Sequence, residues 1–231
     1  MVHVNWLNGL HIPAFLLGDA VLWLCNALFA VVSLFALRHM IWREFIVNTR
    51  GQHVFFGAIV LLLLMWGFKA GITPGLGFHH LGATLFTLMF GWARAIIGLT
   101  IVLLASYGIS EPDWPSVGVN ALLSIVAPVS VSYGILKLSW RYLPDNFFIY
   151  IFINAFFGAG LAVAASRVSA TLVLYLAEVY PFDVLWQQSL IYLPLFMFPE
   201  AFVTGLLITI FVVYLPDWVS TFDDARYLHG K

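Results

Sequence analysis

The chain has 231 residues, of which 62% are hydrophobic and 9% are charged, and its formal net charge is −1. A soluble domain carries about 25% charged residues, so this composition excludes an ordinary soluble globular protein. The near-neutral charge also gives no indication of a nucleic-acid partner. Several apolar runs of about 20 residues lack the polar–apolar alternation of β-barrel strands, and they therefore predict a polytopic all-α membrane protein.

Seven apolar segments follow one another and predict about seven transmembrane helices within a single integral membrane domain, 1–231. Their approximate bounds are 15–37, 53–68, 80–90, 95–108, 117–138, 147–177 and 184–215. An N-terminal segment, 1–14, precedes them and a tail, 216–231, follows them. The third and fourth segments are short, so burial within the protein is an alternative to lipid exposure for both.

The basic residues predict the orientation of these helices. If the segments alternate in direction, one side of the membrane receives Arg38, Arg43, Arg50, Arg94, Lys137, Arg141, Arg226 and Lys231. The other side receives Lys69, Glu111, Asp113, Glu178 and Asp183. Because cytoplasmic loops are enriched in Lys and Arg, we expect the N-terminus outside and the C-terminus in the cytoplasm. Four histidines then share the outer side: His3, His11, His79 and His80.

These outer histidines are candidate metal ligands. Neutral imidazole is the commonest metal-binding side chain and suits Ni, Co, Cu and Zn. His79 and His80 follow the loop "GITPGLGF", and the alternative role for them is to cap the exposed N–H groups of the third helix. The N-terminal "MVH" offers an amine, two backbone amides and the His3 imidazole, a set that suits square-planar Cu(II) or Ni(II).

Motifs for catalysis or ATP hydrolysis do not occur in the sequence. The single cysteine, Cys25, lies in an apolar run and is interpreted as a small buried hydrophobe, since one thiol builds neither an intrachain disulfide nor a thiolate cluster. The chain contains no GxxxxGK[ST] phosphate-binding loop, no HExxH and no nucleophile–base set. The sequence therefore predicts a protein that is not an enzyme and does not itself hydrolyse ATP.

Two charged residues fall inside apolar segments, Arg167 in "GLAVAASRVSATLVLYL" and Glu200 in "LPLFMFPEAFVTGLLITIF". Ionisable groups inside a membrane are costly and tend to pair. We therefore favour an intramembrane Arg167–Glu200 pair that joins the sixth and seventh helices over a proton or ion relay. Asp19, near the outer end of the first helix, is a candidate pairing partner, a helix-start residue or an acceptor that orients an imidazole.

Four stretches occur in order along the chain: "HIPAFL" (11–16), "PGLGFHHLGATL" (74–85), "GVNALLSIVAP" (118–128) and "PEAFVTGLLITIFVVYLPDW" (199–218). Together they resemble motifs of the CbiM/NikM-type family, the substrate-capturing membrane components of energy-coupling-factor transporters for cobalt and nickel. The corresponding family motifs are Met-His-Ile-Pro-Asp-Gly-Phe-Leu, Gly-His-Leu-Leu-Gly, Gly-Ala-Asn and Gly-Glu-Ala-x-x-Thr-Gly.

The resemblance implies a metal site in an outer cavity. In the family, the metal is bound by the N-terminal amine, backbone nitrogen and side chain of a histidine at position two, and by the histidine of the Gly-His-Leu-Leu-Gly loop. These ligands correspond to His11 and His79, while His80 replaces a family leucine. The supporting asparagine corresponds to Asn120, which from its position alone is a helix cap or a group that bonds into an outer cavity, and a second family asparagine is replaced by Ser124.

The chain departs from the family pattern at its N-terminus, because ten residues precede His11 and the Asp-Gly after Ile-Pro is missing. Three arrangements follow. The extension folds back and contributes His3, the site uses the side chains of His11, His79 and in addition His80, or the metal function is lost. Co or Ni is the metal that the resemblance implies, whereas an all-imidazole site would favour Cu or Zn.

We therefore expect a substrate-specific component for uptake of a divalent transition-metal ion, in a bacterial or archaeal inner membrane. Its expected partners are a transmembrane coupling protein, cytoplasmic ATPase subunits and membrane lipid. Two alternatives are a structural subunit of a larger membrane complex without transport activity, and an intramembrane metal-dependent enzyme.

Overall fold

The structure is a computed structural model that describes residues 11–67, 73–77, 80–109 and 113–227. These ranges are almost entirely helical and contain no β-strand. The helices are α1 (Asp19–His39), α2 (Trp42–Val47), α3 (Thr49–Trp66), α4 (Ala83–Phe90), α5 (Trp92–Ile109), α6 (Trp114–Tyr142), α7 (Phe147–Leu176), α8 (Phe182–Gln188), α9 (Leu193–Tyr214) and α10 (Asp224–Tyr227). α6 and α7 each contain a π-helical portion, Leu122–Val126 and Tyr150–Phe157.

The prediction of a polytopic all-α membrane protein is confirmed. Six helical stretches of the described chain are long and apolar enough to cross a membrane: α1, α3, α5, α6, α7 and the stretch Phe182–Tyr214 that contains α8 and α9. α1 exposes large apolar side chains such as Trp23 and Val31, whereas α6 and α7 carry much of the interior. Side chains that face lipid tails must be apolar, and the exposed face of α1 meets this requirement.

Of the two alternatives for the third predicted segment, 80–90, the described structure fits burial within the protein, because its helix is only half as long as a crossing. α4 has eight residues, so at about 1.5 Å per residue it extends about 12 Å, well short of a hydrocarbon core of about 30 Å. Non-helical chain leads into it, and the described parts of that chain, 73–77 and 80–82, are mostly buried. Non-helical backbone is tolerated at membrane depth only where protein supplies its hydrogen bonds, so this segment needs polar partners inside the fold.

α1 packs closely on the start of α6. The Asn26 side chain accepts a 2.9 Å hydrogen bond from Gly118 N through Oδ1 and donates one of 2.9 Å to the Pro115 carbonyl through Nδ2. A methyl group at Gly118 would lie 2.5 Å from the Asn26 backbone, so only glycine permits this approach. The contact holds in place the part of α6 that carries Asn120.

Charge separates the two ends of the helix bundle. One end, here the basic end, comprises 38–50, 90–94, 137–147 and 214–227, and ion pairs or shared pockets join its segments. Its basic residues are Arg38, Arg43, Arg50, Arg94, Lys137, Arg141 and Arg226. The opposite end, here the N-terminal end, comprises 11–17, 73–77, 113–120 and 174–190, which are also joined by hydrogen bonds.

Candidate metal-binding site

Asn120 holds the chain immediately after His11. Its Oδ1 accepts from Ile12 N at 2.7 Å and its Nδ2 donates to the Ile12 carbonyl at 3.0 Å, so one buried side-chain amide satisfies both backbone groups of that residue. Two residues further on, Ala14 N donates to Asp113 Oδ2 at 2.6 Å. Because unpaired buried backbone groups are costly, these bonds fix the path of the chain that carries His11.

The His11 ring lies among aromatic side chains of two other helices. Its centroid is 5.0 Å from that of Tyr107 on α5 and 6.3 Å, edge to face, from that of Trp66 at the end of α3. The Tyr107 hydroxyl in turn accepts from Asn120 Nδ2 at 2.8 Å and lies 2.9 Å from Ser116 Oγ. The imidazole is therefore placed by packing, while Asn120 orders both the backbone beside it and the tyrosine against it.

The segment 73–77 lies directly against this N-terminal chain. Leu76 shares a buried cluster with Ile12, and Gly75, with a φ of +76°, lies where an added methyl group would be at an ordinary contact distance of 3.5 Å from Ile12 Cγ1. The Tyr180 hydroxyl donates to the Pro74 carbonyl at 3.2 Å, and Thr73 Oγ1 donates to Gln188 Oε1 at 2.5 Å. Burial raises the pKa of Tyr180, which favours the protonated hydroxyl that this bond requires.

Arg167 binds the carbonyl groups of the same segment. Its side chain is 1% exposed, and it donates to Leu76 O through Nη1 at 3.4 Å and to Gly77 O through Nη2. Its guanidinium carbon lies 5.2 Å from the Phe196 ring centroid on α9. The buried guanidinium thus supplies hydrogen bonds to two carbonyl groups that lie outside any helix.

Glu200 binds the backbone amide groups of Leu81 and Gly82, which directly precede α4. The side chain is 1% exposed, and it accepts from Leu81 N at 2.9 Å and from Gly82 N at 2.7 Å. Its Oε2 also lies 2.9 Å from Nδ1 of His80. These amides precede α4, where N–H groups lack intrahelical acceptors and the helix dipole favours a negative charge.

The expected link between Arg167 and Glu200 takes an indirect form in the described part of the chain. α7 supplies the cation for the carbonyls at 76–77, and α9 supplies the carboxylate for the amides at 81–82. Unsatisfied backbone groups inside a membrane cost several kcal/mol each, which explains why both charges bind the loop. The loop thus joins the two charges, while the helices that carry them also pack directly on each other, for example through Arg167 and Phe196.

The other predicted residues occupy varied positions. Asp19 is exposed in the first turn of α1, where its charge suits the helix dipole, and Cys25 is a half-buried free thiol of the same helix. Ser124 is 1% exposed in the π-helical portion of α6, and its Oγ has no hydrogen-bond partner among the described residues. His3 and His79 lie outside the described residues.

Two kinds of contact bring the surroundings of His11 and of position 79 together. Leu76, three residues before position 79, shares a buried cluster with Ile12, while Trp66, whose ring contacts His11, donates through Nε1 to Leu81 O at 3.3 Å. Within 11–67, 73–77, 80–109 and 113–227, no three His, Cys, Asp or Glu side chains come together as a metal site. A metal site that includes His11 would therefore need ligands beyond the described His, Cys, Asp and Glu side chains, such as His79, His3 or backbone nitrogen.

Sequence reasoning missed Tyr107, Trp66 and Asp113 as parts of this site. Both aromatic residues lie in apolar helices and carry no pattern that separates them from ordinary core residues. Asp113 belongs to the polar stretch between the fourth and fifth predicted segments, where an acidic residue is unremarkable in sequence. Only the packing of α3, α5 and α6 around the N-terminal chain reveals their roles.

Comparison with known proteins identifies a family and similar folds. The family model described as the cobalt uptake substrate-specific transmembrane region matches residues 11–218. Two solved structures, a truncated transition metal transporter and a transition metal transporter, are similar with TM-scores of 0.75 and 0.71 at 20% and 19% identity. Each match covers 88% of this chain. The matched share of the solved chain is 98% for the truncated transporter and 92% for the other.

No curated protein matches the chain significantly. The solved structures share its fold, and the family model covers most of its length, from His11 to the residue that ends the last resembling stretch, Trp218. The chain belongs to the CbiM family of cobalt uptake substrate-specific transmembrane regions.

Proposed function

We propose that this protein is the substrate-capturing membrane component of an uptake system for a divalent transition-metal ion. In this proposal His11 and His79 bind the ion at the N-terminal end of the bundle. The proposal rests on family membership and on one structural observation: the residues on both sides of position 79 lie beside the neighbours of His11, since Leu76 shares a buried cluster with Ile12 and Leu81 O accepts from Trp66 Nε1.

Imidazole nitrogen is the donor that such a site provides, and it suits Co, Ni, Cu and Zn. Cobalt and nickel are the ions that the family resemblance favours, whereas copper and zinc fit a set made of imidazoles alone. His3 and backbone nitrogen near His11 are the further donors that could complete the coordination. His80 contributes only through Nε2, since its Nδ1 faces Glu200 at 2.9 Å.

The charge distribution supports a direction of transport. The basic end is proposed to face the cytoplasm, because basic residues are retained on that side, and the N-terminal end then opens to the outside. The ion would be captured from outside and released inward. Since the chain has no phosphate-binding loop, we propose that a separate transmembrane coupling protein and cytoplasmic ATPases drive the release.

The test is metal binding by the purified protein and its variants. Elemental analysis should find about one transition-metal ion per chain, and titration calorimetry with Ni, Co, Cu and Zn should identify the preferred one. His11→Ala and His79→Ala should each lower its affinity by about 100-fold or more. His39→Ala is the matched control, because His39 lies at the basic end with Nδ1 2.9 Å from the Phe35 carbonyl.

Unchanged affinity in both site variants would refute the assignment of the site. A protein that binds none of the four ions, and that co-purifies with subunits of a metalloenzyme, would instead support a structural role. N-terminal mass determination on the same samples would show which residue carries the terminal amine and whether the His3 chelate is available.

A further inference from the structure

An apolar groove runs along the outside of the bundle between α3 and α9, with α4 as its floor. Its volume is about 350 Å³, and its lining includes Gly57, Leu61, Met65, Leu85, Leu207 and Phe211. His53 lies at the basic end of the groove and His80 at the other. Nothing in the helix packing of the described residues covers this face.

At the basic end the groove adjoins a second pocket, of about 500 Å³, and the two share Val54, Met89 and Trp218. This second pocket is charged and contains two cations, Arg50 and Arg94, and two anions, Glu44 and Asp217. Arg94 pairs with Glu44 at 3.4 Å. Neither Arg50 nor Asp217 has an ion-pair partner within 4.0 Å among the residues that the structure describes.

The depth of the groove matches one leaflet of a bilayer. Its lining on α9 extends from Phe211 to Val203, which is about 12 Å at about 1.5 Å per residue. Half of a hydrocarbon core is about 15 Å thick. Along α9, the groove thus begins beside charged groups at the membrane boundary and ends at Val203, in the middle of that crossing.

We infer that the two joined pockets bind one phospholipid of the leaflet at the basic end, of the zwitterionic phosphatidylethanolamine type. One acyl chain fills the groove along α3. The phosphate lies with Arg50 and Arg94, and the headgroup amine lies with Glu44 and Asp217. Guanidinium groups between transmembrane helices suit phosphate, and the equal number of carboxylates favours an ammonium-bearing headgroup over an anionic one.

A transmembrane helix of another protein is the other occupant to consider. Such a helix crosses the full core of about 30 Å, whereas this groove ends near His80, beyond which no groove guides it. A charged pocket at one end also matches an amphiphile better than a continuous apolar helix. The geometry therefore favours a single lipid.

Gly57 provides a direct test. A methyl group at this position has no atom within 4 Å, so Gly57→Phe should fill the groove without disturbing the backbone. Gly134, on α6 and outside the groove, is equally open and gives the matched control Gly134→Phe. Arg50→Gln removes one phosphate ligand and leaves the groove intact.

The measurement is native mass spectrometry of the full chain, loaded with defined phosphatidylethanolamine, phosphatidylglycerol or phosphatidylcholine. The wild-type protein should retain one phosphatidylethanolamine in preference to the other two lipids. Gly57→Phe should lower retention about tenfold or more, the loss expected when a few methylenes are no longer buried, and Arg50→Gln should do so too. Gly134→Phe should retain lipid as the wild type does.

Equal retention of lipid by Gly57→Phe and the wild type would overturn the inference. Preference for phosphatidylglycerol would overturn the headgroup assignment. Loss of a co-purifying membrane protein in Gly57→Phe, from a wild type that holds no lipid, would make the groove a protein interface instead. Gly57, Gly134 and Arg50 are not among the proposed metal donors, so metal affinity should be unchanged in these variants and the two proposals succeed or fail separately.

Discussion

Glu200→Gln should loosen the segment that leads into α4. The carboxylate accepts from Leu81 N at 2.9 Å and from Gly82 N at 2.7 Å, whereas a glutamine amide has one acceptor oxygen and one donor group. The variant therefore loses one hydrogen bond to a charged group, about 1.5–3 kcal/mol, and leaves a buried N–H unsatisfied, about 1–3 kcal/mol. Because these costs overlap, the local opening free energy should fall by about 2–4 kcal/mol.

Hydrogen–deuterium exchange of peptides covering 80–90 measures this change directly. A fall of about 2–4 kcal/mol corresponds to exchange about 30- to 700-fold faster. Glu44→Gln is the control, because this 65% exposed carboxylate pairs with Arg94 at the surface, where an ion pair contributes about 0–1 kcal/mol. Exchange in Glu200→Gln within about threefold of wild type would refute the role assigned to the carboxylate.

Three further substitutions test other contacts. Gly118→Ala forces the α1 backbone away and should destabilise the protein by about 1–3 kcal/mol or more, whereas Gly134→Ala should be neutral or stabilising in the same thermal-unfolding assay. Asn120→Ala leaves both backbone groups of Ile12 unpaired and should weaken metal binding by about 10–100-fold in calorimetry; unchanged affinity would contradict its supporting role. Gly82→Ala places a side chain at φ +66°, so the unfolding free energy should fall by about 1–2 kcal/mol, and equal stability would argue against the left-handed turn.

Much of the site was predictable because membrane insertion constrains the sequence. Each polar group within an apolar run is costly, so Arg167, Glu200 and the histidines stand out without structural information. The motifs around His11, His79, Asn120 and Glu200 identified the family, and the family match over 11–218 agrees with it. The metal-ligand roles of His11 and His79 stay predictions.

What Arg167 and Glu200 bind was not predictable, because hydropathy does not distinguish a full crossing from a half-length helix preceded by buried loop. Positions 80–90 look like any apolar segment, yet helix formation begins only at Ala83, after Gly82 adopts a positive φ. The need for polar partners follows from this break in the helix. Arg167 and Glu200, whose opposite charges suggested a direct pair, therefore form hydrogen bonds with the backbone of the loop.

The sequence by itself determined that this chain is a helical membrane protein of a metal-uptake family, because apolar run length, the placement of basic residues and short motifs are local properties of the chain. Tertiary structure decided which distant residues meet. It placed Asn120 on Ile12, Trp66 between His11 and Leu81, and two charged side chains on one loop. The contacts of Asn120 with Ile12 and of Glu200 with Leu81 join residues more than a hundred positions apart, and such hydrogen bonds are required only once lipid and protein have replaced water around the backbone.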